Sequence, residues 1–397
     1  MPKRILVLTF YFEPDLCAGS FRVTPLVHAL RDLAGPEFEI DVVTTMPNRY
    51  ASYKKQSPPL EERPRPGLRV RRIALPVHRS GMVDQAVSFL FFATGIKKLV
   101  KRESYDLVFA SSSRLMTAYL ASRIASATKA RLYLDIRDIF VENMEAVVPN
   151  GLFRLIRPWF NMLERAAFRQ ADRINLISPA FHDYFSNFPK EKLTFYTNGI
   201  DEDFIFPEEK TTNPSPRNAP LTVLYAGNIG EGQGLHEVLP PLAERLGNEV
   251  RFQVIGDGGR RVQLATELER RKVRNVDWIA PVERKELVTR YRNADVLFLH
   301  LNDYPAFRRL LPSKLFEYAA TGKPIWAGLC GYSRKFANEE VGHCSVFKSG
   351  NVDEGIEAFR KLRLENQPRT EFIEKYRRRT LDEALAQNIL SLLGPSA

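Results

Sequence analysis

The 397-residue chain has only three cysteines, Cys17, Cys330 and Cys344, at no metal-ligand or redox spacing. That excludes a disulfide scaffold and a thiolate metal centre, and the three read as small apolar residues in a reducing compartment. None of the six histidines has a partner at ligand spacing, so no bound catalytic metal is expected. No uninterrupted apolar run reaches the ~18 residues of a membrane span. Met1–Leu8 is basic and then apolar, like a leader, but the run breaks at Glu13-Pro14-Asp15 and reads as a first core strand. That strand lacks the G-x-G-x-x-G turn of a dinucleotide site, which argues against a dehydrogenase. No repeat and no low-complexity tract is present.

What the chain does have is apolar sequence and positive charge. Hydrophobic residues make up 44 % of it, enough for two domains that each bury a core. A formal charge of +11 calls for an anionic partner or a solvated surface. Nucleic acid is not expected, because no recognition motif or aromatic-interleaved basic region occurs. Nucleotide diphosphates and anionic lipid headgroups remain. Much of the charge reads as solvated helix face, as in Glu283–Glu286 and Lys375–Arg379.

Short apolar runs alternate with helical patterns. Ile5–Phe10, Ile40–Thr44, Leu68–Ile73, Leu107–Ala110, Arg131–Asp135 and Arg173–Ile177 read as strands. Helical patterns over Arg22–Leu33, Leu115–Ser126 and Trp159–Gln170 fall between some of them. A polar, proline-rich stretch follows, and the rhythm restarts with Leu221–Ala226, Val250–Ile255, Val276–Ile279, Ala294–Leu299, Pro324–Ala327 and Cys344–Phe347. The fold class is α/β, with two Rossmann-like, doubly wound parallel sheets facing each other across a cleft. The expected division is 1–205, a linker at 206–219, 220–368, and a final helix over 369–397 packing across both domains.

Pro312–Ile325 is the most informative segment. Pro312 and Ser313 start a helix, and Gly322 with Pro324 stops it. Such a helix opens at the carboxyl end of strand 294–299, where open α/β sheets bind ligands. Free N–H groups at its start attract anions, and Lys314 adds a full charge there. Glu317, one turn on, can accept hydrogen bonds from neutral hydroxyls. Anion and hydroxyl recognition side by side suits a ligand that is part phosphate and part sugar.

Two glycine loops also end strands. Gly227-Asn228-Ile229-Gly230-Glu231-Gly232-Gln233-Gly234 and Gly256-Asp257-Gly258-Gly259-Arg260 are either flexible turns or backbone cradles for phosphate. Three loops ending parallel strands of one domain converge on one rim. In the first domain Gly19-Ser20 precedes a helix, and Arg22 is either a solvated first-turn arginine or a phosphate contact. Asp135-Ile136-Arg137-Asp138 ends a strand, with Asp138 either structural or a polar group beneath a reacting sugar carbon. Asp201-Glu202-Asp203 reads as structural rather than as a metal site. Val87–Arg102 is either a core-facing helix with a solvated basic end or a helix on an anionic membrane. Basic residues of 54–72, among them Arg63, Arg65, Arg69, Arg71 and Arg72, would join that surface.

Taken together, the chain resembles a GT-B-fold glycosyltransferase of the large retaining family 4 along nearly its whole length. The residues that carry the resemblance are Gly19-Ser20-x-Arg22, Asp135–Asp138, Asn198–Asp201, Gly227–Leu235, Gly256–Gly258 and Pro312–Glu317. Within the family it is closest to the bacterial N-acetyl-L-fucosamine transferase type of O-antigen and capsule assembly. The resemblance implies a nucleotide diphosphate sugar donor, UDP-linked, a lipid-linked or saccharide acceptor, no cofactor and no metal. It implies Glu317 on the ribose hydroxyls, Ser313 and Lys314 at the diphosphate, and Ile279 to Val282, Pro281 included, beside the base. Asp138 would lie near the anomeric carbon, on a protein at the cytoplasmic face of the membrane. Two positions depart from the family. Arg309 replaces the glutamate expected eight before Glu317, and Gln233 replaces a basic residue. Lys314, Arg260, Arg308 or Arg309 would then supply the charge that meets the leaving diphosphate. A nucleotide-sugar epimerase and a non-catalytic polysaccharide-assembly protein are the competing readings.

Overall fold

Continuous apolar runs form strands buried on both faces. The structure, a computed structural model, describes residues 2–47, 57–62, 66–76, 82–112, 115–142, 150–206 and 219–394. In the first unit the strands are β1 (Lys3–Leu8), β2 (Phe38–Thr45), β3 (Leu60–Glu62), β4 (Leu68–Ile73), β5 (Leu107–Ser112), β6 (Arg131–Ile136), β7 (Arg173–Leu176) and β8 (Leu193–Thr194). They lie in the order β3-β4-β2-β1-β5-β6-β7-β8, parallel except for β3. Ile5 to Leu8 and Leu107 to Ala110 are almost wholly buried, as central parallel strands are. Sequence reading misses β3 and β8, because three and two residues are too few to show a period.

The second unit has β9 (Leu221–Ala226), β10 (Val250–Ile255), β11 (Val276–Ile279), β12 (Val296–His300), β13 (Ile325–Leu329) and β14 (Cys344–Lys348). All six are parallel, in the order β11-β10-β9-β12-β13-β14. Strand order therefore reverses between β9 and β12, which opens a crevice at their carboxyl ends. Trp326 on β13, fully buried, anchors this core against Phe298, Phe347 and Phe359.

The chain divides into two compact units, Met1–Asn198 with Arg379–Ala397, and Gly199–Arg378. Residues 199–205 and 369–378 thus group with the second unit rather than with the expected first domain and final helix. The expected linker lies outside the described residues except at its ends. The final helix is in fact two, Thr370–Tyr376 and Arg378–Leu390. They part at Arg377 because Ile200 bridges there, donating its N–H to Tyr376 O (2.8 Å) and accepting from Arg378 N–H (2.9 Å). The second helix buries Leu385, Ala386 and Ile389 among Leu26, Val27 and Leu30 of helix Ala18–Leu33, closing the first unit's core.

Helix Asn150–Gln170 turns Glu164 inward, where it accepts from the Tyr184 hydroxyl. Burial, reinforced by Glu142, outweighs that bond and pushes the Glu164 carboxyl up to about 7. Between its ordinary value of 4.5 and about 7 the unfolded chain ionises first, so the native state loses stability as pH rises. Glu164→Gln is expected to stabilise the first unit by roughly 2–3 kcal/mol at pH 8 and negligibly at pH 4. Calorimetric scans at both pH values check this.

Candidate active site

The Pro312–Ile325 expectation is met in its local structure. Pro312, in extended backbone, caps helix Ser313–Ala320, and Gly322 at φ +74° ends it. Leu315, Phe316, Tyr318 and Ala319 hold the helix in the core, which turns Lys314 and Glu317 together along one face. Lys314 Nζ lies 3.1 Å from Glu317 Oε2 and donates to the Tyr291 hydroxyl at 3.2 Å, and that hydroxyl donates to Glu317 Oε2 at 3.3 Å. Burial, together with Tyr318 and Glu317, raises the Tyr291 phenol well above its ordinary value, so it remains a neutral donor. Glu317 is 5 % exposed, whereas the Lys314 side chain is 24 % exposed. The result is an accessible ammonium and a recessed carboxylate at the opening of the β9/β12 crevice.

Backbone bonds tie together the loops after β9, β10 and β11. Gly227 N–H donates to Ile255 O (2.9 Å), Gly256 N–H to Ile279 O (3.0 Å), and Ile229 N–H to Asp257 O (2.9 Å). Gly256 has φ +147°, and a Cβ there would stand 1.9 Å from Gly227 O. A Cβ on Gly227 would come 3.6 Å from Lys314 Cε, so this loop borders the ammonium. Gly256→Ala is expected to lower kcat/KM roughly 10–100-fold by spreading these loops. Steady-state rates on a variant verified as folded measure it.

The first glycine loop is held from beneath by groups that sequence reading missed. His300, ending β12 and fully buried, accepts from Gly350 N–H at 3.0 Å on Nε2. Its Nδ1 therefore carries the proton and donates to Gln233 O at 2.7 Å. Burial lowers this histidine to about 4, fixing the neutral tautomer. Asn302 donates to Glu231 O at 2.7 Å from its side chain and to Gly232 O at 2.9 Å from its backbone. Gly234 has φ +58°, and a Cβ there would collide with Asn302. The available signal was polar His300 and Asn302 ending an apolar strand, where nothing in the core needs them.

Several expected phosphate contacts are already engaged in this structure. Gln233 accepts from Asn228 Nδ2 (2.9 Å) beside Gly230. Arg260 pairs with Glu231, which also accepts from the Tyr304 hydroxyl (2.6 Å). Arg308 pairs with Asp303 at 2.7 Å, and Arg309 closes the short turn Pro305–Arg309. Among the described residues, Glu231, His236 and Glu237 have ligand atoms within 4.8 Å of one another, but Glu231 is taken by Arg260 and Tyr304. Ile279 ends β11, and half-buried Pro281 follows it.

Arg22 is buried rather than solvated, and its guanidinium is engaged inside the first unit. It is 2 % exposed and grips Asp135 with Nε and Nη2, both at 2.8 Å, while donating to Tyr196 O and Thr197 O. Gly19 is buried against Tyr11 and the Arg137 guanidinium. Half-buried Asp138 lies just past β6, in the field of Arg137. The Asp201–Asp203 triplet is structural, with Asp201 on Arg284 and Arg378, Glu202 on Arg377 and Asp203 on Arg284. Arg377, Arg378 and Arg284 are thus ion-paired rather than merely solvated. Arg69 and Arg71 pair with Asp41, and Arg72 with Glu61, so these three do not supply a free basic surface. Arg63 and Arg65 lie outside the described residues.

Two family matches tile the chain. The Glycosyl transferase 4-like domain matches residues 20–199, and the Glycosyl transferases group 1 family matches residues 208–379. The chain belongs to the family 4, group 1 glycosyltransferases. The transferase is 33 % identical over 215 residues to WcaI of Escherichia coli (strain K12), described as a colanic acid biosynthesis glycosyl transferase. That match spans 50 % of this chain and 51 % of WcaI. Its fold is the GT-B fold of solved glycosyltransferases. Sucrose-phosphate synthase from Thermosynechococcus elongatus superposes with a TM-score of 0.75 at 15 % identity, covering 99 % of the transferase and 100 % of that chain. WaaG, involved in lipopolysaccharide biosynthesis, gives 0.67 at 15 %, covering 97 % and 99 %. Anabaena HepE in complex with UDP-glucose gives 0.68 at 13 %, covering 98 % and 99 %.

Proposed function

We propose that the transferase moves a sugar from a nucleotide diphosphate donor, UDP-linked, to a lipid-linked or saccharide acceptor in bacterial surface-polysaccharide assembly. Within that activity, the N-acetyl-L-fucosamine transferase type is the finer assignment. The observation that carries the reading is the Lys314–Glu317–Tyr291 cluster at the carboxyl end of β12, beside the Gly227 loop. WcaI's description and HepE's bound UDP-glucose support the pathway and the donor class.

In this reading the ribose hydroxyls donate to Glu317, which already accepts from Tyr291 and Lys314. Ser313 and Lys314 amides at the helix start, with the Lys314 ammonium, receive the diphosphate. Ile279 and Pro281 border the base. The bond between the anomeric carbon and the β-phosphate oxygen breaks, and its electron pair leaves with the diphosphate. The acceptor oxygen bonds to that carbon with retention, and its proton goes to the departing phosphate. Charge stabilisation comes from Lys314 and the helix N-terminus rather than from a divalent ion. Arg309 stands where a sugar-binding glutamate would.

No described helix is long and apolar enough to cross a membrane, and a cytoplasmic, peripheral enzyme is the proposed setting. The deciding experiment incubates the full chain with UDP-, GDP- and TDP-sugars, with and without a membrane-lipid extract as acceptor, in the presence of EDTA. UDP release that requires acceptor is the expected result. Turnover of the nucleotide sugar without acceptor would instead indicate an epimerase, and no turnover or nucleotide binding a non-catalytic protein.

A further inference from the structure

Helix Asn150–Gln170 packs Phe153, Leu163, Ala167 and Phe168 inward. Yet Leu155 is 79 % exposed, Trp159 51 % and Met162 57 %. These three lie at i, i+4 and i+7, on one side of the helix. Arg154, Arg165 and Arg169 are exposed along one flank of that stripe, and Glu164, in the same segment, is turned inward. The Trp159 ring rests edge-on against Phe160 at 5.0 Å, so it is held in place. An apolar stripe with an indole, edged by arginines, has the composition of a helix lying in a membrane interface.

A second such stripe lies on the same face of the sheet. The steps β4 to β5, β5 to β6 and β6 to β7 all run in one direction along the strand order. Right-handed crossovers therefore place helices Met82–Val100, Leu115–Thr128 and Asn150–Gln170 on one face. Met82–Val100 buries Phe89, Phe92 and Ile96 but exposes Val87, Leu90 and Phe91, with Lys97 and Lys98 in its last turn. The core-facing reading of Val87–Arg102 thus describes one side of the helix, and the other side presents exposed apolar and basic residues.

We propose that this face of the first unit docks on an anionic lipid surface, with Leu155, Trp159 and Met162 entering the headgroup–acyl boundary and the arginines meeting lipid phosphates. The proposal deepens the lipid-linked acceptor of the proposed function and rests on that reading for its purpose. A protein partner is a poorer fit. A lipid surface needs only apolar anchors and basic charge.

The test is co-sedimentation of the full chain with phosphatidylcholine vesicles, with and without about one third phosphatidylglycerol. The wild type is expected to sediment with the anionic vesicles only. Leu155→Glu/Trp159→Glu/Met162→Glu is expected to lose at least about tenfold in partition coefficient, and Arg154→Gln/Arg165→Gln/Arg169→Gln about 100-fold, at roughly fivefold per charge. The wild type should show a tryptophan fluorescence blue-shift on binding, and Trp159→Phe should still bind but lack that shift. Calorimetry with UDP on the same variants separates this proposal from the donor site, since UDP affinity should not change. Failure of the wild type to bind, unchanged binding by the glutamate variant, or a dimer that this variant dissolves would overturn it.

Discussion

Replacing Lys314 with alanine is expected to lower kcat roughly 10²–10³-fold while raising the donor KM much less. The ammonium lies at the start of helix Ser313–Ala320, within hydrogen-bond distance of Glu317 and Tyr291. Negative charge on the diphosphate grows as the bond to the sugar breaks, so a cation there stabilises the transition state more than the bound donor. Lys314→Arg should recover only part of the rate, because a planar guanidinium places its charge and donors differently from a compact ammonium. Steady-state rates at saturating and limiting donor separate the two parameters. A Lys314→Ala enzyme with kcat within a few-fold of wild type would move the leaving-group charge to Arg308 or Arg309.

The second large effect is on stability rather than catalysis. Arg22→Met should destabilise the first unit by about 3–5 kcal/mol, because it strands Asp135 as a buried, unpaired carboxylate. At this domain size that corresponds to roughly 10 °C in Tm. Burial alone would raise the Asp135 carboxyl, but Arg22, with bonds from Arg22 and Asn175, holds it below its ordinary value. Its contribution is therefore complete above about pH 4 and is lost as pH falls through the lower native value. Thermal melts of wild type and Arg22→Met should accordingly converge in acid. UDP affinity of the folded variant should be unchanged, which a phosphate-binding Arg22 would not allow.

The contrast between Arg22 and Lys314 shows what a sequence can carry. Lys314 and Glu317 lie within one helix that Gly322 stops, so local spacing alone reveals their shared face. Arg22 depends on Asp135, 113 residues away, and on carbonyls of Tyr196 and Thr197, which no local pattern discloses. The strands of the second unit were legible because each is a short apolar or alternating segment bounded by polar sequence, and β9, β10 and β11 match those segments end to end. Tyr291 and His300 were not, since a tyrosine in a polar helix and a histidine ending a strand gain their roles only when tertiary contacts bury them. The break at Arg377 was invisible for the same reason: Ile200, far along the chain, makes it.

The claim that the β9/β12 crevice of the second unit grips a nucleotide diphosphate is tested most directly by titrating UDP into the full chain in EDTA, by calorimetry. Wild type should bind, and Glu317→Ala/Lys314→Ala, verified as folded, should bind at least about tenfold more weakly. Equal affinity in the two proteins, or no UDP binding by the wild type, would contradict it.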